Sequence, residues 1–216
     1  GAAMQRYDRS RQKLAVGLAF LAGQVDAIGF VVAGGYFTSF MSGNTTRLGV
    51  ELVADRALAW IPILVIGCFI AGVIAGALVA FGRQGQHKRI LLAMVTALLG
   101  TATLALGNAH DMVFLALAAA AMGVANNVFS REGEVTVGVT YMTGALVRSG
   151  QGVAARILGR SNEAMRGYPT LWLALAVGAI GGACLYAVNP LVAAAAAAGL
   201  ALLLFVFAVR IETRAA

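Results

Sequence analysis

The stretch SFMSGNTTRLG, residues 39–49, decides how this chain is read. It separates two long apolar runs, and its hydroxyls and Arg47 make it too polar to face lipid unaided. A second version, TYMTGALVRSG, occupies residues 140–150. Met41, Gly43, Arg47 and Gly49 match Met142, Gly144, Arg148 and Gly150 in type. Ser39, Phe40 and Ser42 become Thr140, Tyr141 and Thr143, which keeps a hydroxyl, a ring and a second hydroxyl. The surroundings repeat as well. Gly23 and Asp26 precede the first copy as Gly123 and Asn126 precede the second at a 100-residue offset, although at the motif's own 101-residue offset Asp26 meets Asn127. Gly72 and Gly76 follow the first as Gly178 and Gly182 follow the second. Each half therefore reads helix, motif, helix, helix.

The chain has 216 residues, 60% hydrophobic and 12% charged, whereas soluble domains are roughly half apolar and a quarter charged. This balance identifies a multi-pass integral membrane protein whose first partner is the lipid bilayer. Six runs approach the roughly 20 apolar residues that a spanning helix needs: Lys13–Gly34, Trp60–Gly82, Ile90–Asn108, Met112–Phe129, Thr170–Val188 and Leu191–Val209. The formal net charge of +7 gathers at the ends of these runs, as orientation in a bilayer requires, so no nucleic-acid partner is expected. The first run follows a basic N-terminus as a signal peptide would, but Asp26 and the lack of a small-residue cleavage site read as a retained helix. Cys68 and Cys184 lie inside apolar runs as packing residues. His87 and His110 fall in different connections, so neither a metal nor any cofactor is expected.

Basic residues stay on the cytoplasmic side. Arg6, Arg9, Arg11 and Lys13 precede the first run, Arg83, Lys88 and Arg89 separate the second and third, and Arg156, Arg160 and Arg166 precede the fifth. With all three clusters inside, both termini are cytoplasmic and the two motif segments cross nothing. Each is re-entrant or interfacial, and the second half enters from the opposite side. The expected fold is all-α: about six transmembrane helices in two inverted three-helix repeats, each carrying a re-entrant or broken Gly/Arg motif. The alternative is eight helices in two parallel repeats, which puts Arg83, Lys88 and Arg89 outside. The organisation is a cytoplasmic segment 1–12, a first repeat 13–108, a second repeat 109–210 and a tail 211–216.

Interrupted helices of inverted repeats build midplane solute sites in many transporters. Ser42 or Thr143 can cap a helix beginning near the following Gly43 or Gly144. Arg47 and Arg148 lie one turn further on the same face, where a helix N-terminus and a guanidinium together favour an anion or zwitterion. The structural alternative pairs Arg47 with Glu51, four residues on, and lets Arg148 snorkel to the interface. Asp26, past the middle of the first run, is the sharpest single residue, because a carboxylate at membrane depth is expensive and functional by default. It could carry a coupling proton, or be a buried partner to an Arg, or fix helix packing. Gln24, Asn44, Asn126 and Asn127 are expected in the same polar interior, Gln24 and the two later asparagines with interhelical hydrogen bonding as the alternative. Glu132 and Glu134, next to Arg131, are expected to be solvated at the cytoplasmic end of the fourth run. The glycine pairs allow close helix approach within a protomer or across a homodimer.

The combination of VDAIGF at 25–30, FTSFMSGNT at 37–45 and TYMTGALVR at 140–148 resembles the YoaK-type family of bacterial membrane proteins, over nearly the whole chain. The resemblance implies a bacterial cytoplasmic-membrane protein with about six helices. It implies no activity, since the family is known chiefly as a domain of unknown function. ANN at 125–127 stands where a Gln-Asn type pair is expected. The leading expectation is a small secondary transporter of a small polar or anionic solute, proton-coupled through Asp26 and homodimeric. A passive channel and a non-catalytic scaffold or sensor are the alternatives. No enzyme is expected, because the sequence holds no nucleophile–base set, metal-ligand cluster or nucleotide loop.

Overall fold

A computed structural model describes residues 9–83, 86–131, 134–135, 138, 140–160 and 167–215; Arg6, Glu132 and Arg166 lie outside them. Among the described residues the chain forms eight helices: α1 (Arg9–Val32), α2 (Met41–Ala54), α3 (Trp60–Gly82), α4 (His87–Gly107), α5 (Asp111–Ala125), α6 (Met142–Ile157), α7 (Tyr168–Val188) and α8 (Pro190–Ala215). Two-residue strands β1 (Ser130–Arg131) and β2 (Glu134–Val135) pair antiparallel after α5.

All six apolar runs are helices. Five are long and apolar enough to cross a membrane, while α5 has only 15 residues. The run expected to reach Phe129 stops as regular helix at Ala125. There the side-chain amides of Asn126 and Asn127 donate back to Met122 O (3.0 Å) and Gly123 O (3.3 Å), and the chain goes on in turns. Such local bonds compete with helix continuation. Prolines fall where a missing N–H matters least: Pro62 and Pro169 in the first turns of α3 and α7, and Pro190 at the head of α8. The motif helices α2 and α6 have 14 and 16 residues. At about 1.5 Å per residue, neither reaches across a hydrocarbon core of roughly 30 Å.

Glycines set the closest packing. A Cβ on Gly23 of α1 would lie 2.0 Å from Leu175 O of α7, and one on Gly178 of α7 would lie 2.0 Å from Phe20 O of α1. At a second interface, a Cβ on Gly123 of α5 would lie 2.1 Å from Phe69 O of α3, and one on Gly72 would lie 2.1 Å from Ala120 O. Backbones this close admit only glycine. The two interfaces match residue for residue. Gly23 and Phe20 become Gly123 and Ala120, while Leu175 and Gly178 take the places of Phe69 and Gly72. The first helix of each half thus packs on the helix that follows the motif of the other half.

The same contacts give directions. Phe20 faces Gly178 and Gln24 faces Gly182, so α1 and α7 are parallel; Ala120 faces Gly72 and Val124 faces Gly76, so α3 and α5 are parallel. Helices α4 and α8 run antiparallel, with the Lys88 amide donating to Glu212 (3.2 Å) at one end and Leu191 beside Gly107 at the other. Residues 108–110 fold α4 back onto α5, and Asn189 folds α7 back onto α8. Hence α1, α4 and α7 point one way and α3, α5 and α8 the other. The largest buried cluster joins Leu14, Leu18 and Val25 of α1 to Leu91 and Val95 of α4, with Ala197 and Ala201 of α8. A smaller one gathers around Tyr36, Ile61, Val65 and Leu115.

Candidate solute cavity between the two motifs

After α1 the chain must reverse, and Gly34 (φ 68°) and Gly35 (φ 111°) allow it by taking the left-handed backbone that side chains rarely adopt. The reversal lays residues 36–40 back along α1 and brings Ser39 to Asp26. The Asp26 carboxylate accepts three hydrogen bonds: Oδ1 from the Thr38 hydroxyl (2.9 Å) and the Ser39 amide (2.7 Å), Oδ2 from the Ser39 hydroxyl (2.7 Å). Charge-assisted bonds of this length are the strong ones. The second half repeats the clasp with weaker groups, the Thr140 hydroxyl donating to Asn126 Oδ1 at 3.2 Å. Asp26 corresponds to Asn126 and Ser39 to Thr140, so one latch holds each motif to the helix before it.

Both latched motifs open into one cavity of about 900 Å³. Helix α1 contributes Gly23, Asp26, Ala27 and Phe30 to its wall, and the first motif contributes Phe37, Ser39, Phe40, Met41 and Ser42. Opposite them stand Thr140, Tyr141, Met142, Thr143 and Gly144 of the second motif. Phe69 of α3 and Leu175, Ala179 and Ala183 of α7 close the sides. Among the described residues of the wall, Asp26 is the one whose side chain is charged at neutral pH.

The helices start earlier than the sequence suggests. Ser42 and Thr143 are not caps but first-turn residues, because α2 and α6 begin at Met41 and Met142, with Phe40 and Tyr141 at the cap positions and no side-chain cap bond. Asp26 of α1 instead holds the residues just before α2, Thr38 and Ser39. Gly43 packs beneath Phe40, whose ring would lie 2.4 Å from an added Cβ. Asn44 is buried and closes the loop from within, accepting from the Phe37 amide (3.0 Å) and donating to Phe37 O (2.7 Å).

Of the other expected site residues, none lines the cavity. Arg47 pairs with Glu51 at 3.2 Å and lies 4.5 Å above the Tyr36 ring. Buried Glu51 also accepts the Tyr36 hydroxyl, and burial, aided by Glu51, pushes the Tyr36 phenol up. Arg148 lies 5.0 Å from the Tyr168 ring. Asn127 bridges to Val73 O (3.1 Å) and so ties α5 to α3. Gln24 is buried, with Oε1 lacking a hydrogen-bond partner among the described residues. The glycine pairs expected to serve either one protomer or a dimer are used inside the protomer. Sequence reading missed Thr38, Ser39 and Thr140 as latch donors; the signal was the paired hydroxyls of Ser39 and Thr140.

Residues 14–209 match the family described as "Protein of unknown function (DUF1275)". A protein described as a UPF0700 transmembrane protein from Rhizobium meliloti (strain 1021) is 37% identical over 182 residues, covering 81% of this chain and 78% of that relative. No solved structure matches.

Proposed function

The chain belongs to the DUF1275 family, a transmembrane family of unknown function, and on that premise we propose that it is a small secondary transporter. It moves a small polar solute through a site between two inverted three-span repeats, in the bacterial cytoplasmic membrane with both termini inside. The observation that carries this reading is the cavity walled by the same part of both motif copies, next to a carboxylate on a spanning helix. Broken or re-entrant segments of two repeats meeting at one cavity is how many secondary transporters build a solute site.

Helix directions support the inverted arrangement. With α1 outward, α3 is inward, α4 outward, α5 inward, α7 outward and α8 inward, which is an alternation of six crossings. Eight crossings would need α1 and α3 to be parallel, since α2 would intervene. In the six-crossing frame Arg83, Lys88 and Arg89 fall inside with Arg9 and Arg11, as the charge rule asks.

The arginines that suggested an anion lie off the wall, which leaves Asp26 as the charge that a solute meets and as the group to carry a coupling proton. Protonation would remove acceptor capacity from the latch on Thr38 and Ser39, and so loosen the first motif as solute passes. The test is flux in vesicles containing the purified protein, with a panel of labelled small polar solutes and an imposed pH gradient. The reading expects accumulation of at least one solute driven by the gradient and abolished in Asp26→Asn. Passive flux indifferent to the gradient and to Asp26→Asn would instead make it a channel.

A further inference from the structure

The wall chemistry goes beyond "small polar solute". Three rings of the cavity wall form a continuous surface beside Asp26: Phe30 and Phe37 lie tilted with centroids 5.0 Å apart, and Phe37 meets Phe40 edge to face at 5.2 Å. Tyr141 faces them from the other motif and is 66% exposed. Among the described residues, Asp26 Oδ2 accepts a single hydrogen bond, from Ser39, and an ionised carboxylate oxygen has room for more. Among the described residues, Lys, Arg and His are absent from the wall.

We propose that the cavity binds an organic ammonium ion, its charged nitrogen against Asp26 and its apolar body among Phe30, Phe37, Phe40 and Tyr141. An anion would meet a full negative charge in a weakly screened space and would lack a fixed cation to offset it. An alkylammonium group gains both the carboxylate and ring faces, the pairing by which aromatic cages hold such cations. The first turns of α2 and α6 also border the cavity and favour negative charge, each worth about half a charge. Asp26, bound to the Ser39 amide two residues before α2, brings a negative charge close to the α2 end.

This inference rests on reading the cavity as the solute site, and its test separates the two. The protein in lipid nanodiscs is titrated calorimetrically with 2-phenylethylammonium, the neutral 2-phenylethanol and the anionic 3-phenylpropionate, which share a ring and differ in charge. The expected result is binding of the ammonium compound at least tenfold tighter than either other probe, with the preference lost in Asp26→Asn. Equal binding of all three, tighter binding of the anion, no binding of the ammonium compound, or a preference that survives Asp26→Asn overturns it. Should Asp26→Asn not fold, Tyr141→Ala decides: the ammonium compound must bind at least threefold more weakly, and unchanged binding overturns the proposal. In the vesicle assay, gradient-driven flux of an anion without ammonium binding overturns this inference and leaves transport standing. Ammonium binding without any flux supports the inference and overturns transport.

Discussion

Gly23→Ala and Gly123→Ala should weaken the fold to a similar degree, because they strike equivalent points of two equivalent interfaces. The added methyl would lie 2.0 Å from Leu175 O in one case and 2.1 Å from Phe69 O in the other. Both acceptors are backbone, so no side chain can swing aside. Restoring an ordinary contact of about 3.4 Å means parting the helices by roughly 1.4 Å, and overpacking of this kind costs about 1–3 kcal/mol. Replacing a helical glycine by alanine returns up to about 1 kcal/mol of propensity. Set against the full return, a net loss of up to about 2 kcal/mol is expected for each variant. Gly67→Ala in α3 is the control, since an added Cβ there meets nothing within 4 Å, and it should be neutral or slightly stabilising. Equilibrium unfolding in mixed micelles reads all three. Stability of Gly23→Ala equal to that of Gly67→Ala would refute the packing; a large loss for one interface glycine and none for its counterpart would refute the equivalence of the halves.

Asp26→Ala strands three donors, and at about 1–3 kcal/mol per unsatisfied buried donor, moderated because Asp26 borders the cavity, the unfolding free energy should fall by about 2–4 kcal/mol. Asp26→Asn, which keeps an acceptor, should lose less than half as much by the same unfolding assay. Because the second latch is a single uncharged bond at 3.2 Å, hydrogen exchange should be faster at residues 140–144 than at 38–42, and equal rates would contradict the difference between the latches. Arg47→Ala should lower stability by only about 0.5–1 kcal/mol, the Arg being 39% exposed, and should leave binding of 2-phenylethylammonium within twofold. The raised Tyr36 phenol holds its proton more tightly when folded. Its contribution is therefore whole below the ordinary value of 10.0 and is lost as pH rises beyond it; alkaline melting should decline less steeply in Tyr36→Phe.

What the sequence made legible was whatever is encoded locally. Twenty apolar residues in a row are a strong signal, and all six runs are helices. The pair of asparagines after Ala125 marks the early end of α5, though an apolar stretch to Phe129 conceals it. The Arg47–Glu51 pair could be read from its four-residue spacing. The latch could not, because Asp26 meets Ser39 only after Gly34 and Gly35 reverse the chain. The helix starts at Met41 and Met142 were misjudged because Phe40 and Tyr141, which no local capping rule favours, occupy the cap positions without a side-chain cap bond. The aromatic wall is hidden likewise, since Phe30 and Phe37 are brought together by that same turn.

The central claim is that the two motif helices approach one cavity from opposite faces of the membrane. In a background with Cys68 and Cys184 replaced, Ala57→Cys after α2 and Gly159→Cys after α6 can be labelled with a membrane-impermeant maleimide from either side of oriented cells or vesicles. The account predicts that residue 57 labels only from outside and residue 159 only from the cytoplasm. Labelling of both from the same side would contradict it.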